Sequence, residues 1–193
     1  VKLPAARTGT PARIAILGAE STGKSTLADT LARCHGTLWV PEYLREFVDT
    51  MGRVPYEMDQ PGIARTQRAR EDACARALAA RPGAPALLFC DTAPLMTAVY
   101  SRFYWGRVPS DLLAMEAEHD YALTLVAAPD LPWVADGLMR DSEDVRARVH
   151  AILLEVLQAR GIAYALVEGD LPQRVRQVEA LLGASFPQSW KLI

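Results

Sequence analysis

Of all features of this chain, the run Gly18-Ala19-Glu20-Ser21-Thr22-Gly23-Lys24-Ser25 constrains the fold most, because it fits G-x-x-x-x-G-K-[ST]. The apolar run Arg13-Ile14-Ala15-Ile16-Leu17 precedes it and reads as a buried strand. Lys24 to Cys34 follows, with Leu27, Leu31 and Ala28, Ala32 at helical spacing. In such a strand–loop–helix unit the glycines let the backbone turn and come close to an anion. Successive N–H groups then point at phosphate oxygens, helped by the positive end of the helix. Lys24 suits the β- and γ-phosphates of a nucleotide, and Ser25 suits a Mg²⁺ ion.

The rest of the chain repeats the alternation. Strands are expected at Thr37 to Val40, Ala86 to Cys90, Tyr121 to Ala127 and Ile162 to Val167. Helices are expected at Glu42 to Thr50, Asp59 to Ala80, Pro94 to Tyr104, Ser110 to His119, 142–160 and Leu171 to Leu182. Pro61 stands in a first turn, Ser110 and Asp141 or Ser142 serve as caps, and Gly161 and Gly183 follow helix ends. The strands lack period-two alternation, as when both faces of a sheet are covered. Five such strands separated by helices give a three-layer α/β fold around a parallel sheet. One domain is expected over 12–183, with loose tails at 1–11 and 184–193.

Composition enters as a set of exclusions. Half of the 193 residues are hydrophobic and 23% are charged, so a disordered chain is excluded. No apolar run is long enough for a membrane helix, and Val1 to Arg13 does not read as a signal peptide, so a cytoplasmic setting is expected. A net charge of −2 argues against a nucleic-acid partner. Cys34, Cys74 and Cys90 form no ligand pattern and read as reduced, mostly buried residues. His35, His119 and His150 are scattered, without metal-ligand spacing. Lysine occurs only at Lys2, Lys24 and Lys191, and every other basic residue is arginine. The lysine kept inside the body is the one in the glycine-rich loop.

Three further segments carry chemistry. Leu87-Leu88-Phe89-Cys90-Asp91 is an apolar run ending in a carboxylate. In a parallel sheet Asp91 emerges at the carboxyl edge, beside the phosphate loop, where it holds Mg²⁺ through water, accepts a proton, or merely caps the next helix. Glu42 begins just after the second strand, at the same edge, where a carboxylate suits a general base for a hydroxyl nucleophile or simply a helix N-terminus. Arg45 lies at i+3 from Glu42, so the two share a face. Trp133-Val134-Ala135-Asp136-Gly137-Leu138-Met139-Arg140 falls in an irregular stretch expected to act as a lid, about 129–141, with Arg140 as the cation over a transferring phosphate and Arg146 and Arg148 behind it. The aromatics Tyr100, Phe103, Tyr104 and Trp105 crowd one helix end, and Trp105 or Tyr43 is the ring expected to stack on a substrate. The turn Gly169-Asp170-Leu171-Pro172 follows the fifth strand.

The segments GAESTGKST, PEYLREFV, Gln67-Arg68, FCDT and WVADG, in this order and spacing, resemble the NadR-type ribosylnicotinamide kinase domain over about residues 12–182. The resemblance implies a nucleoside-kinase-like sheet of order 2-3-1-4-5 with a mobile lid. It implies ATP-dependent phosphorylation of the 5′-hydroxyl of nicotinamide riboside, giving nicotinamide mononucleotide and ADP, with Mg²⁺. It maps the nucleotide loop onto Gly18, Glu20, Ser21, Thr22, Gly23, Lys24, Ser25 and Thr26. It puts the acceptor side at Glu42, Tyr43, Arg45 and Asp91 and the lid at Trp133–Arg140, and the expected substrate-binding set adds Trp105 and Asp136 to those four. A pyridinium cation in the acceptor suits aromatic faces and carboxylates. The family commonly reads Asp-Gly-Leu-Arg in the lid, whereas Met139 here precedes Arg140, so either Arg140 or Arg146 supplies the lid cation. No adenylyltransferase or helix-turn-helix pattern accompanies the kinase segments.

The expected catalytic group is therefore Lys24, Asp91, Glu42 and Arg140, with Ser25 and Asp91 at the metal. Two other readings keep the phosphate loop. One is a kinase acting on another nucleoside or small metabolite. The other is a nucleotide-sensing module that binds ATP without turnover. Neither the choice of ATP over GTP nor the oligomeric state is encoded in these motifs.

Overall fold

The computed structural model describes residues 10–81, 83, 87–134 and 142–185. In chain order the elements are β1 (Ala12–Leu17), α1 (Lys24–Cys34), β2 (Trp39–Val40), α2 (Tyr43–Met51), a 3₁₀ turn (Glu57–Asp59), α3 (Gln60–Ala79), β3 (Leu87–Asp91), α4 (Pro94–Trp105), α5 (Ser110–Ala117), β4 (Leu123–Ala127), α6 (Glu143–Ala159), β5 (Ala165–Val167) and α7 (Leu171–Ser185). All strand pairs are parallel, in the order β2-β3-β1-β4-β5.

Sequence and sheet geometry together explain the layers. Successive residues of a strand point to opposite faces. From β1, Ile14 and Ile16 join Leu27, Leu31 and Val178 under α1 and α7. Ala15 and Leu17 join Met96, Val99, Val149 and Leu153 under α4 and α6. Every one of these side chains is at most 2% exposed. Each large aliphatic so buried contributes roughly 1.5–3 kcal/mol. A strand covered on both faces has no polar side, hence the unbroken apolar runs.

The element ends differ from the sequence reading in several places, each with a local cause. Ile162 is consumed in closing α6: Gly161 takes φ 64° and the Ile162 N–H donates to Leu157 O at 2.9 Å, leaving three residues for the edge strand β5. Ser110 is the first helical residue of α5 rather than its cap, with Pro109 before it. Gly183 lies inside α7, which runs on to Ser185. Ser142 does cap α6, its hydroxyl accepting from the Val145 N–H at 3.2 Å. All three cysteines are free thiols, but Cys34 is exposed, and only Cys90 is fully buried. Among the described residues no helix is long and apolar enough to cross a membrane.

Candidate active site

The carboxyl ends of the strands converge on one cleft of about 490 Å³. Its floor is the loop between β1 and α1, from Glu20 through Thr26. Glycine is required there at two points. Gly18 takes φ 147°, and a Cβ would lie 2.9 Å from Ala127 O. Gly23 takes φ 76°, with Leu131 Cδ1 3.0 Å from the position of a Cβ. The Lys24 Nζ donates to Ala19 O at 2.7 Å, and the Thr22 hydroxyl donates to the same carbonyl at 2.8 Å. Thus the ammonium is held across the loop, only 8% exposed, at the head of α1.

Asp91 is the last residue of β3 and pairs in register with Ile16 of β1, which brings it under the loop. Its Oδ2 accepts from the Ser25 hydroxyl at 2.5 Å. Its Oδ1 is buried and has no hydrogen-bond partner among the described residues. An orphaned carboxylate oxygen beside a serine hydroxyl is a donor set that fits a hydrated Mg²⁺, which takes few protein ligands and completes its shell with water and phosphate. The next residue, Thr92, holds φ 77°, an uncommon conformation for a β-branched side chain and a form of strain that collects at functional sites.

Glu42 immediately precedes α2 and lines the cleft with Arg45, one turn on. Burial pushes the Glu42 carboxyl above its ordinary range, with Lys24 pulling it down and Asp91 pushing it further up. Burial likewise raises Asp91, opposed by Lys24 and by the Ser25 hydrogen bond. Two carboxyls with raised proton affinity therefore flank one ammonium, the arrangement by which proton acceptors are tuned. Leu44, Val48, Val54 and Pro55 form an apolar wall opposite Tyr100, Tyr104 and Trp105 from the end of α4.

The structure thus brings Glu20, Ser21, Thr22, Gly23, Lys24, Ser25, Thr26, Glu42, Arg45 and Trp105 to one cleft, with Asp91 buried just beneath it. Tyr43 is not brought there. Helix α2 turns its ring away, and the Arg70 guanidinium lies over it at 4.6 Å. Arg140 and Asp136 lie outside the described residues, as does most of the expected lid. Its described beginning closes on the loop: the Val134 N–H donates to Ser21 Oγ at 3.0 Å. Arg146 is buried and fastens that segment, donating to Leu131 O at 2.7 Å and to Glu143 at 2.8 Å.

Several residues at the site carry no motif. The Tyr100 hydroxyl donates to Glu20 Oε2 at 3.0 Å, turning a loop carboxylate toward α4. The Tyr43 N–H, in the first turn of α2, donates to Gln67 Oε1 at 2.9 Å, so a side chain of α3 serves the start of α2. Arg174 of α7 is 1% exposed and touches the phosphate loop from below. A cation in the first turn of a helix, against the macrodipole, was the available signal for it.

A family model described as an AAA domain matches residues 13–174. The chain is 30% identical over 182 residues to the trifunctional NAD biosynthesis/regulator protein NadR of Salmonella typhimurium, across 88% of this chain and 42% of that protein. It is 30% identical over 162 residues to the protein of that name from Escherichia coli, across 81% of this chain and 38% of that one. The chain therefore spans about two fifths of the length of these curated relatives. Among solved structures, a NadR protein in complex with NAD and AMP-PNP superposes with a TM-score of 0.75 at 20% identity, over 95% of this chain and 51% of that one. Thymidylate kinase from Candida albicans superposes with a TM-score of 0.66 at 13% identity, over 95% of both chains. The fold is that of nucleoside and nucleotide kinases, with the strand order that the sequence resemblance implied.

Proposed function

Because the chain belongs to the AAA domain family and is 30% identical to NadR proteins of two bacteria, we propose that it transfers the γ-phosphoryl group of ATP to the 5′-hydroxyl of nicotinamide riboside. The observation that carries this reading is the meeting of Lys24, the Ser25–Asp91 pair and Glu42 at one cleft whose far wall is aromatic. We read residues 12–183 as one kinase domain, with the lid at about 129–141.

Each residue has a part that follows from its place. The amides of Gly18–Thr26 and the Lys24 ammonium bind and orient the triphosphate. Ser25 and Asp91 would hold Mg²⁺, which when bound neutralises charge on the phosphates. Glu42, raised in proton affinity and on the acceptor side of Lys24, takes the proton of the attacking hydroxyl, with Asp91 the second candidate for that step. Arg45, at the same face, orients Glu42 or binds the incoming phosphate charge. Arg140, which lies outside the described residues, is kept from the sequence as the lid cation for the transferring phosphate. Carboxylates at Glu20 and Glu42 together with the rings of Tyr104 and Trp105 suit an acceptor carrying a positive charge.

A titration of nicotinamide riboside, uridine and thymidine with Mg·ATP, following ADP, tests the assignment. Preferred ADP release with nicotinamide riboside supports it. Preference for another nucleoside keeps the kinase and changes its acceptor. Tight ATP binding with no acceptor-stimulated ADP would make the chain a nucleotide sensor instead.

A further inference from the structure

The most deeply buried cation among the described residues lies outside the cleft, beneath it. Arg174 is fully enclosed, and its guanidinium is spread over three loops at the carboxyl edge of the sheet. Nε donates to Gly169 O at 2.8 Å, in the loop after β5. One terminal nitrogen donates to Ala128 O at 3.0 Å, after β4, and to the Asp130 carboxylate. The other donates to Thr22 O at 2.5 Å, inside the phosphate loop. Asp130 also ties back to the loop after β5, accepting from the Gly169 N–H at 2.5 Å. The donors of the planar fork are thus divided among groups far apart in sequence, which one ammonium could not reach together.

The bond to Thr22 has a directional consequence. Across a trans peptide the carbonyl of one residue and the N–H of the next point in opposite directions. No cis peptide occurs among the described residues. Fixing the Thr22 carbonyl on the guanidinium therefore fixes the Gly23 N–H on the other side of that peptide, away from Arg174. A charged donor also polarises the peptide it binds, making its N–H a stronger donor. Gly23 has no Cβ to hold its own peptide in place, and it sits at φ 76°, so an external brace has something to do.

We infer that Arg174 is a positioning residue for the phosphate loop: it sets the Thr22–Gly23 peptide so that the Gly23 amide faces the polyphosphate, and it ties that setting to the loops after β4 and β5. This rests on the phosphate-loop reading of residues 18–26, and not on which acceptor is used. A residue that only holds the domain together would, when changed, weaken all nucleotides alike. A residue that aims one loop amide weakens those whose outer phosphates use it.

The test compares ADP and AMP binding to the full chain, by calorimetry or by displacement of a fluorescent ADP analogue, in wild type, Arg174→Gln and Arg174→Lys. Arg174→Gln is expected to weaken ADP about tenfold or more while AMP changes less than about twofold. Arg174→Lys, which keeps the charge but not the fork, is expected to fall between wild type and Arg174→Gln for ADP, again with AMP unmoved. In turnover the loss appears chiefly in KM for ATP and not in KM for the acceptor. Should Arg174→Gln fail to fold, Arg174→Lys decides alone. Equal weakening of ADP and AMP, or unchanged ADP binding in a folded variant, overturns the inference. Wild-type protein that binds neither nucleotide overturns the phosphate-loop reading itself.

Discussion

The two sides of the cleft are built by different means. The side formed by the loops after β1, β4 and β5 is made of backbone: amides, carbonyls and glycines, braced by Arg174 and Arg146 and by the Ser21–Val134 hydrogen bond. The side formed by β3, α2 and the end of α4 is made of side chains: Asp91, Glu42, Arg45 and an apolar and aromatic wall. Large apolar groups are exposed in the segment between α2 and α3, with Met58 84% and Tyr56 58% accessible. A polyphosphate is alike in every nucleotide, so a rigid backbone cradle serves it. An acceptor is individual, and only side chains can be varied to suit it without disturbing the sheet.

The largest effect tests whether the two sides meet at one point. Lys24→Ala removes the ammonium that lies between loop and carboxyls, and turnover is expected to fall by about 10³-fold or more. The protein should remain folded, since without the ammonium the buried Glu42 and Asp91 carboxyls can take up protons instead of standing as unpaired charges. Near wild-type turnover in folded Lys24→Ala would dissolve the proposed site.

Next come the two carboxyls, which separate proton transfer from metal holding. Glu42→Gln and Asp91→Asn are each expected to lower turnover roughly 10²-fold. Burial raises both groups, so each stays protonated to a higher pH than an ordinary carboxyl. A base must be deprotonated, so kcat should rise with pH along an acid limb displaced upward. Glu42→Gln should abolish that limb, and Asp91→Asn should instead raise the Mg²⁺ concentration needed for half-maximal rate. The reverse pattern would exchange their roles.

The supports of the two sides also differ in kind. The loop side is held by the Arg174 guanidinium, whereas the acceptor side leans on Gln67, which donates to Glu71 at 3.3 Å. Glu71 also accepts from the Tyr121 hydroxyl at 2.6 Å, and burial raises its carboxyl from 4.5 to about 7. The folded protein then holds a proton that the unfolded chain has lost, so stability is fully present below pH 4.5 and declines as pH rises to about 7. The full decline from this group is about 3 kcal/mol. Denaturant melts of Glu71→Gln between pH 5 and 8 should show that slope flattened. An unchanged slope would mean that Glu71 remains charged, paired with its arginine neighbours.

The same division explains what could be read beforehand. The phosphate loop was legible because its backbone angles demand glycine, and glycine at fixed spacing is visible in a sequence. Asp91 was legible because it ends an apolar run whose strand leads to the loop. Tyr43 faces away from the cleft, contrary to what its place beside Glu42 suggests, because neighbours on a helix point about 100° apart: Glu42 and Arg45 share the cleft face, and Tyr43 turns to α3 and Arg70. Arg174 was invisible because its partners are carbonyls, which every residue has, and Thr22 lies 152 positions away. Ser21 and Thr92 adopt positive φ without being glycine, so their strain leaves no compositional mark. Strand lengths were overread at the edge, where Ile162 is drawn into closing a helix.

The smallest effect is the one that bears most directly on the acceptor wall. Trp105 ends α4 and lines the cleft beside Tyr104, whose ring stands 5.6 Å from it at 57°. If the wall selects the acceptor, Trp105→Ala should raise KM for that substrate about tenfold through lost ring contact, leaving KM for ATP within about twofold. Trp105→Phe should recover most of the loss, because a face and not a hydrogen bond is what the wall supplies. A cationic acceptor sharpens the expectation, since the penalty should exceed that for a neutral nucleoside offered to the same variant. Equal changes in both KM values would instead mean that α4 supports the loop, and the two sides would no longer be separable.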